Sequence, residues 1–145
     1  MSRSPIGIGP LKLAVAASLI SGALMAEPAP RAAAEDAGAE VKPVLAEKLP
    51  NAPGKTLTAV IVTYAPGGKS GRHHAGSVFA YVLSGAVRSE TSVGGPAKIY
   101  KTGESFFEPP GSEHLVSENA SATEPASLLA VFAAGDGAQL TTFDK

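Results

Sequence analysis

From Val41 onward the chain is a succession of short apolar runs rich in Val, Ile, Thr, Tyr and Phe, each closed by Gly, Pro, Asn or Ser. That texture predicts strands near Val41–Leu49, Leu57–Tyr64, Val78–Ser84, Val87–Thr91, Lys98–Lys101, Ser105–Glu108, His114–Ser117, Leu128–Ala133 and Gln139–Phe143. Ala65-Pro66-Gly67-Gly68, Ser84-Gly85 and Gly94-Gly95-Pro96 supply reversals between them. No window in this part shows an apolar stripe at helical spacing. Many short strands bury their apolar faces only by closing on one another, so the expected fold is all-β, a sandwich or a barrel. In LTAVIVTY, Leu57, Ala59 and Ile61 alternate with Thr58, Val60 and Val62, which predicts a strand covered on both faces.

Upstream the pattern changes. Residues 27–40 alternate Ala, Pro, Glu, Asp and Gly with almost nothing bulky, the signature of a flexible, disordered linker. Before it, Arg3 and Lys12 precede the uncharged run Leu13–Ala26. That run falls short of the ~20 apolar residues of a membrane-spanning helix and suits a secretory signal peptide over residues 1–26. Cleavage is expected after Ala26, with Ala34 in RAAAED as a second site. The expectation is an exported domain over residues 41–145, periplasmic or secreted, with no stable membrane span after processing.

A length of 145 residues bounds the chain to one domain, and 44% hydrophobic against 17% charged residues fits a packed core rather than disorder. A net charge of −1 without a basic run leaves no footprint for nucleic acid. The absence of cysteine excludes disulfides, thiolate ligands and a cysteine nucleophile.

The chemistry concentrates in GESFFEPPGSEH, Gly103 to His114. Phe106 and Phe107 predict a strand; Pro109 and Pro110 lack the N–H groups to extend it, and Gly111 permits a tight reversal. His114 then opens a new apolar run, so backbone on both sides holds its imidazole as a metal site or general base requires. Upstream, a histidine pair enters a strand in RHHAGSVFAYVLSG, Arg72 to Gly85.

Taken together, these two segments resemble the paired motifs of the cupin superfamily. Gly103, Pro109, Gly111 and His114 match the second motif in full, and the asparagine that follows it is Asn119, one residue late. YVLSG matches the strand and closing glycine of the first motif, and His74 falls on its second histidine. Arg72 stands where the first histidine is usual, with His73 beside it, and Val78 where the glutamate is usual. The resemblance covers Leu57 to Phe132 and is similar to a small single-domain cupin.

The resemblance implies a cupin-type double-stranded β-helix, or jelly-roll, barrel whose inner face holds histidines and a glutamate around one divalent metal. His74 and His114 are the ligands that carry over. Strand alternation puts Arg72 and His74 on one face and His73 on the other, so a third ligand comes from His73, if the backbone bulges, or from a carboxylate. Glu108 shares a face with Phe106 and is the carboxylate expected there. Its partner is the metal or, with no metal site at all, Arg72 in a bidentate pair. Two histidines and a carboxylate suit Fe, Mn, Ni or Zn without distinguishing them. Phe79, Tyr81 and Phe106 are expected to line the cavity, and Glu104 to face solvent.

The expectation is an exported cupin that binds one divalent metal and acts on a small organic molecule, as an oxygenase, isomerase or lyase. The alternative is a non-catalytic module in which Arg72 grips an anionic ligand. A homodimer paired through outer strands is implied by the resemblance alone.

Overall fold

Each apolar run becomes a strand, and the turn residues fall between them. The computed structural model describes residues 37–143; the expected signal peptide and most of the expected linker lie outside the described residues. Eleven strands follow in order: β1 (Ala39–Lys48), β2 (Lys55–Tyr64), β3 (Lys69–Ser70), β4 (His73–Ala75), β5 (Ser77–Ser84), β6 (Ala86–Thr91), β7 (Lys98–Lys101), β8 (Ser105–Glu108), β9 (Glu113–Asn119), β10 (Ala126–Gly135) and β11 (Thr141–Phe143). The described residues contain no helix, so none is long and apolar enough to cross a membrane. β1 begins at Ala39, two residues inside the stretch expected as linker.

The strands form two antiparallel sheets, one ordered β1-β2-β10-β5-β8 and the other β11-β4-β9-β6-β7, with β3 also paired to β9. Period-two alternation then decides what goes between them. Val60, Val78, Ala80, Val82, Leu128 and Phe132 are buried from the first sheet and meet Val87 from the second. This is the jelly-roll barrel expected from the sequence.

The histidine pair does not enter the strand that contains Val78. It lies on a separate short strand, β4, in the opposite sheet from β5, with Gly76 between the two. A second departure from simple alternation lies on β9. Glu90 pairs with Val116 but Thr91 pairs with His114, so Leu115 is a bulge. The extra residue shifts the inward parity by one, and His114, Ser117 and Asn119 are all buried. Asn119 holds the far end of β9: its amide donates to the carbonyls of Ala65 (3.0 Å) and Glu124 (2.7 Å), and its oxygen accepts the Ser121 N–H (2.8 Å).

Candidate metal centre

The site is built where the two sheets face each other. β8 ends at Glu108 in the five-stranded sheet, and β9 starts at Glu113 in the six-stranded one. The chain crosses between them through Pro109 and Pro110, whose missing N–H groups end the ladder, and through Gly111 at φ 82. Ser112, fully buried, locks the crossing by donating its hydroxyl to the Pro109 carbonyl at 2.7 Å. Glu108 and His114 therefore arrive from opposite walls of the barrel. Their closest approach is 3.1 Å, between Oε1 and Nδ1, with both side chains at least 95% buried.

His73 completes the cluster. It stands directly across the ladder from His114, with ring centroids 5.0 Å apart. Its Nδ1–H donates to the Gly71 carbonyl at 2.8 Å, which fixes the tautomer and puts the neutral ring's lone pair on Nε2. The other nitrogen of His114, Nε2, is hydrogen-bonded to Ser89 Oγ at 2.9 Å. One potential ligand atom from each of His73, Glu108 and His114 lies within 4.8 Å of the other two.

These residues fit a divalent metal on a specific observation. Glu108 Oε2 is buried and has no hydrogen-bond partner, a condition that is costly for a carboxylate oxygen unless a cation or donor meets it. Two imidazoles and one carboxylate are a donor set suited to first-row divalent ions.

The cavity beside the cluster measures about 260 Å³. Phe106, Val60, Leu128 and Phe132 give it apolar walls, and Thr141 and Phe143 of β11 contribute one side. Tyr64 and Ser117 bring the hydroxyls opposite, hydrogen-bonded to each other at 2.7 Å. Sequence reasoning missed Tyr64, Ser117 and Ser89. A tyrosine closing an apolar strand and serines within strands carry no mark of a site, and only the fold brings them to His114.

Of the sequence-predicted residues, His73, Glu108, His114 and Phe106 line this cavity. His74 does not: it pairs with Glu113 across the ladder and is exposed. Directly opposed residues share a face, so the partner decides which of two adjacent histidines turns inward, and His73 is the one opposite His114. Arg72 is also exposed. It pairs with Glu113 (Nε to Oε1, 3.2 Å) instead of Glu108 and is not part of the cavity wall. Phe79 and Tyr81 face outward as well, because Val78 pairs with Glu108 and Ala80 with Phe106, which gives the inner positions to the smaller residues. Glu104 is exposed, as expected, and accepts the Lys101 N–H.

A family model described as the cupin domain matches residues 60–132. No curated protein matches the sequence. Among solved structures, a conserved protein with a double-stranded β-helix domain from Klebsiella pneumoniae subsp. pneumoniae MGH 78578 aligns with TM-score 0.57 at 21% identity, covering 82% of this chain and 90% of that one. The polyketide cyclase RemF from Streptomyces resistomycificus aligns with TM-score 0.57 at 16% identity, covering 77% and 75%. The DMSP lyase DddQ from Ruegeria pomeroyi DSS-3 aligns with TM-score 0.51 at 22% identity over 60% of this chain, which spans only 42% of the lyase. At these identities the likeness is one of fold.

Proposed function

The chain belongs to the cupin family, and from that premise we propose that it is a metal-dependent protein that acts on a small, largely apolar organic molecule. The observation that carries this reading is the convergence of His73, Glu108 and His114 on one point, with Glu108 Oε2 buried and unpartnered. A bound divalent ion there supplies Lewis acidity at a substrate oxygen. His73 and Glu108 then belong to the ligand set with His114, and His74 does not.

The cavity supports the substrate class. Among the described residues its wall contains no Lys or Arg, so polar groups of the substrate depend on the bound ion and the few hydroxyls, while the largely apolar lining suits an apolar body. Its volume corresponds to roughly eight or nine waters, which limits the substrate to a small molecule. Phe106 and the aliphatic walls give the cluster apolar surroundings, and the Tyr64–Ser117 hydroxyl pair offers a polar handle for orienting the substrate. The fold relatives named above include a lyase and a cyclase, both in keeping with small-molecule chemistry. We place the domain outside the cytoplasm on the basis of Arg3, Lys12 and the uncharged run Leu13–Ala26. Intact mass of protein recovered from an exporting host tests this, and a chain that retains residues 1–26 counts against it.

Elemental analysis of the purified protein beside four alanine variants tests the metal reading. Near-stoichiometric metal in the parent is expected to vanish in His73→Ala, Glu108→Ala and His114→Ala and to persist in His74→Ala. A parent that takes up no iron, manganese, nickel or zinc on loading overturns it, as does loss of metal in His74→Ala alone.

A further inference from the structure

A second cavity, of about 240 Å³, adjoins the first through Phe106, which lines both. The Phe106 ring meets His114 of the first cavity at a centroid distance of 6.1 Å and Tyr100 of the second at 4.8 Å. The walls differ in kind: aliphatic side chains dominate the first, whereas the second collects hydroxyls and a lysine. Strands β6 and β7 supply these polar groups. Across their ladder Ser89 opposes Lys98 and Val87 opposes Tyr100. Directly opposed residues share a face, and Ser89 and Val87 are buried, so Lys98 and Tyr100 belong to the inner face of the six-stranded sheet. Thr91, opposed to His114, joins them. Glu90, the one acid among the described lining residues, alternates to the other face of β6. Gly94 lets the loop after β6 approach the site, because a β-carbon there would lie 2.6 Å from Thr91 Oγ1.

Among the described residues, neither the Lys98 ammonium nor the hydroxyls of Thr91 and Tyr100 has a hydrogen-bonding or ionic partner. Ser89 is already engaged, by His114 Nε2 at 2.9 Å. We propose that this second cavity binds a small organic acid, its carboxylate held by Lys98 with the Thr91 and Tyr100 hydroxyls and its apolar body laid against Phe106 and Phe107.

The donor inventory selects the class. A lysine donates and cannot accept, and hydroxyls donate as readily as they accept, so three free donor groups on one wall call for an acceptor-rich ligand. An oxyanion meets all three and gains charge-assisted hydrogen bonds from the ammonium. A cationic ligand would be repelled by Lys98, and a neutral one would leave that charge unmatched. The two phenylalanines favour an organic anion over an inorganic one, since Phe106 and Phe107 offer aromatic surface that a bare ion cannot use. The volume corresponds to roughly eight waters, enough for a carboxylate on a single ring or short chain. Lys98 is exposed, so its attraction for the ligand weakens as salt is added. None of the proposed contacts is with His73, Glu108 or His114, and the site therefore does not depend on a metal in the first cavity.

Calorimetric titration of the purified protein with benzoate, before and after treatment with a chelator, tests the proposal. One benzoate per chain is expected in both states, with affinity falling as salt rises. Benzamide, the uncharged isostere, and inorganic phosphate, an oxyanion without an apolar body, are both expected to bind more weakly. Lys98→Gln is expected to weaken benzoate about tenfold or more, and Tyr100→Phe about fivefold, while far-UV circular dichroism matches the parent. No benzoate binding overturns the proposal and leaves Lys98 as a charge that guards the edge strand β7. Binding that disappears on chelation overturns it by assigning the carboxylate to the metal centre. Affinity unchanged in Lys98→Gln overturns it by placing the ligand elsewhere. Phosphate bound more tightly than benzoate overturns the assignment to an organic acid.

Discussion

Glu108 Oε1 and His114 Nδ1 lie 3.1 Å apart across the gap between the two sheets, each delivered by its own strand and both almost wholly buried. The contact ties together the walls of the barrel, and each side chain keeps no more than 5% of its surface exposed. Removing one partner of a buried hydrogen-bonded contact leaves the other unsatisfied, at a cost of about 1–3 kcal/mol, whereas replacing both with apolar groups of similar volume is often neutral or stabilising. In the metal-free protein, His114→Ala is therefore expected to lower stability by about 1–3 kcal/mol, and Glu108→Leu/His114→Leu to recover most of that loss. Urea unfolding in the presence of a chelator gives both numbers. A double variant as unstable as His114→Ala would show that the ring's packing, and not its pairing with Glu108, dominates.

Ser89 sets the other side of the same ring. Its hydroxyl engages His114 Nε2 at 2.9 Å, which holds the imidazole plane and directs Nδ1 toward Glu108. Groups that orient a ligating histidine typically influence metal affinity by 10–100-fold, while one hydrogen bond contributes only about 1 kcal/mol to folding. Ser89→Ala is expected to weaken metal binding by about that factor in a chelator competition, with a stability change of about 1 kcal/mol. Unchanged affinity would mean that the ring is held by packing alone.

The sequence makes the fold legible and half of the site. Lys98–Lys101 and Ser105–Glu108 fall where the apolar runs place them, and the β8–β9 crossing is written in Pro109, Pro110 and Gly111. Facing is the part that composition does not encode. His73 rather than His74 turns inward because His73 opposes His114, and that register depends on a ladder between segments distant in sequence. Phe79 and Tyr81 look like cavity walls by hydrophobicity, yet parity with Glu108 gives those places to Val78 and Ala80. The bulge at Leu115 has no local signature at all, and it is what lets His114 and Ser117 face the same cavity.

Asp136 links the end of β10 to β2. The Thr56 hydroxyl donates to it at 2.7 Å, and this bond above all, opposed by desolvation and assisted by Lys48 nearby, holds its carboxyl below the ordinary value of 3.8. A carboxyl whose folded pKa is depressed adds stability that is present above the unfolded value and is lost as pH falls through the folded one. The loss therefore begins near pH 3.8 and is complete below the lowered pKa. Asp136→Asn is expected to flatten this acid limb of the stability profile while changing little at neutral pH beyond the loss of a solvent-exposed pair. Denaturant unfolding over an acid pH series checks it, and parallel profiles for parent and variant would remove Asp136 from the account.

Two motif glycines should respond to alanine very differently. Gly111 has φ 82 and open space around the position of a β-carbon, so Gly111→Ala carries only the left-handed backbone penalty of about 1–2 kcal/mol. Gly85 has φ 69, and a β-carbon there would lie 2.7 Å from the Pro125 carbonyl oxygen and 2.9 Å from the Ala126 side chain. The obstacle is mainly backbone, held in place by β10, which cannot rotate aside as a flexible side chain would. Gly85→Ala is therefore expected to cost more than Gly111→Ala by at least about 1 kcal/mol, since the steric clash adds to the backbone strain. Asparagine separates the two causes, because it tolerates left-handed backbone better than alanine does. Gly111→Asn is expected to be milder than Gly111→Ala, whereas Gly85→Asn should be no milder than Gly85→Ala, because its β-carbon meets the same carbonyl. Thermal unfolding of the four variants decides the matter, and equal losses at the two positions would show that β10 yields to the added carbon.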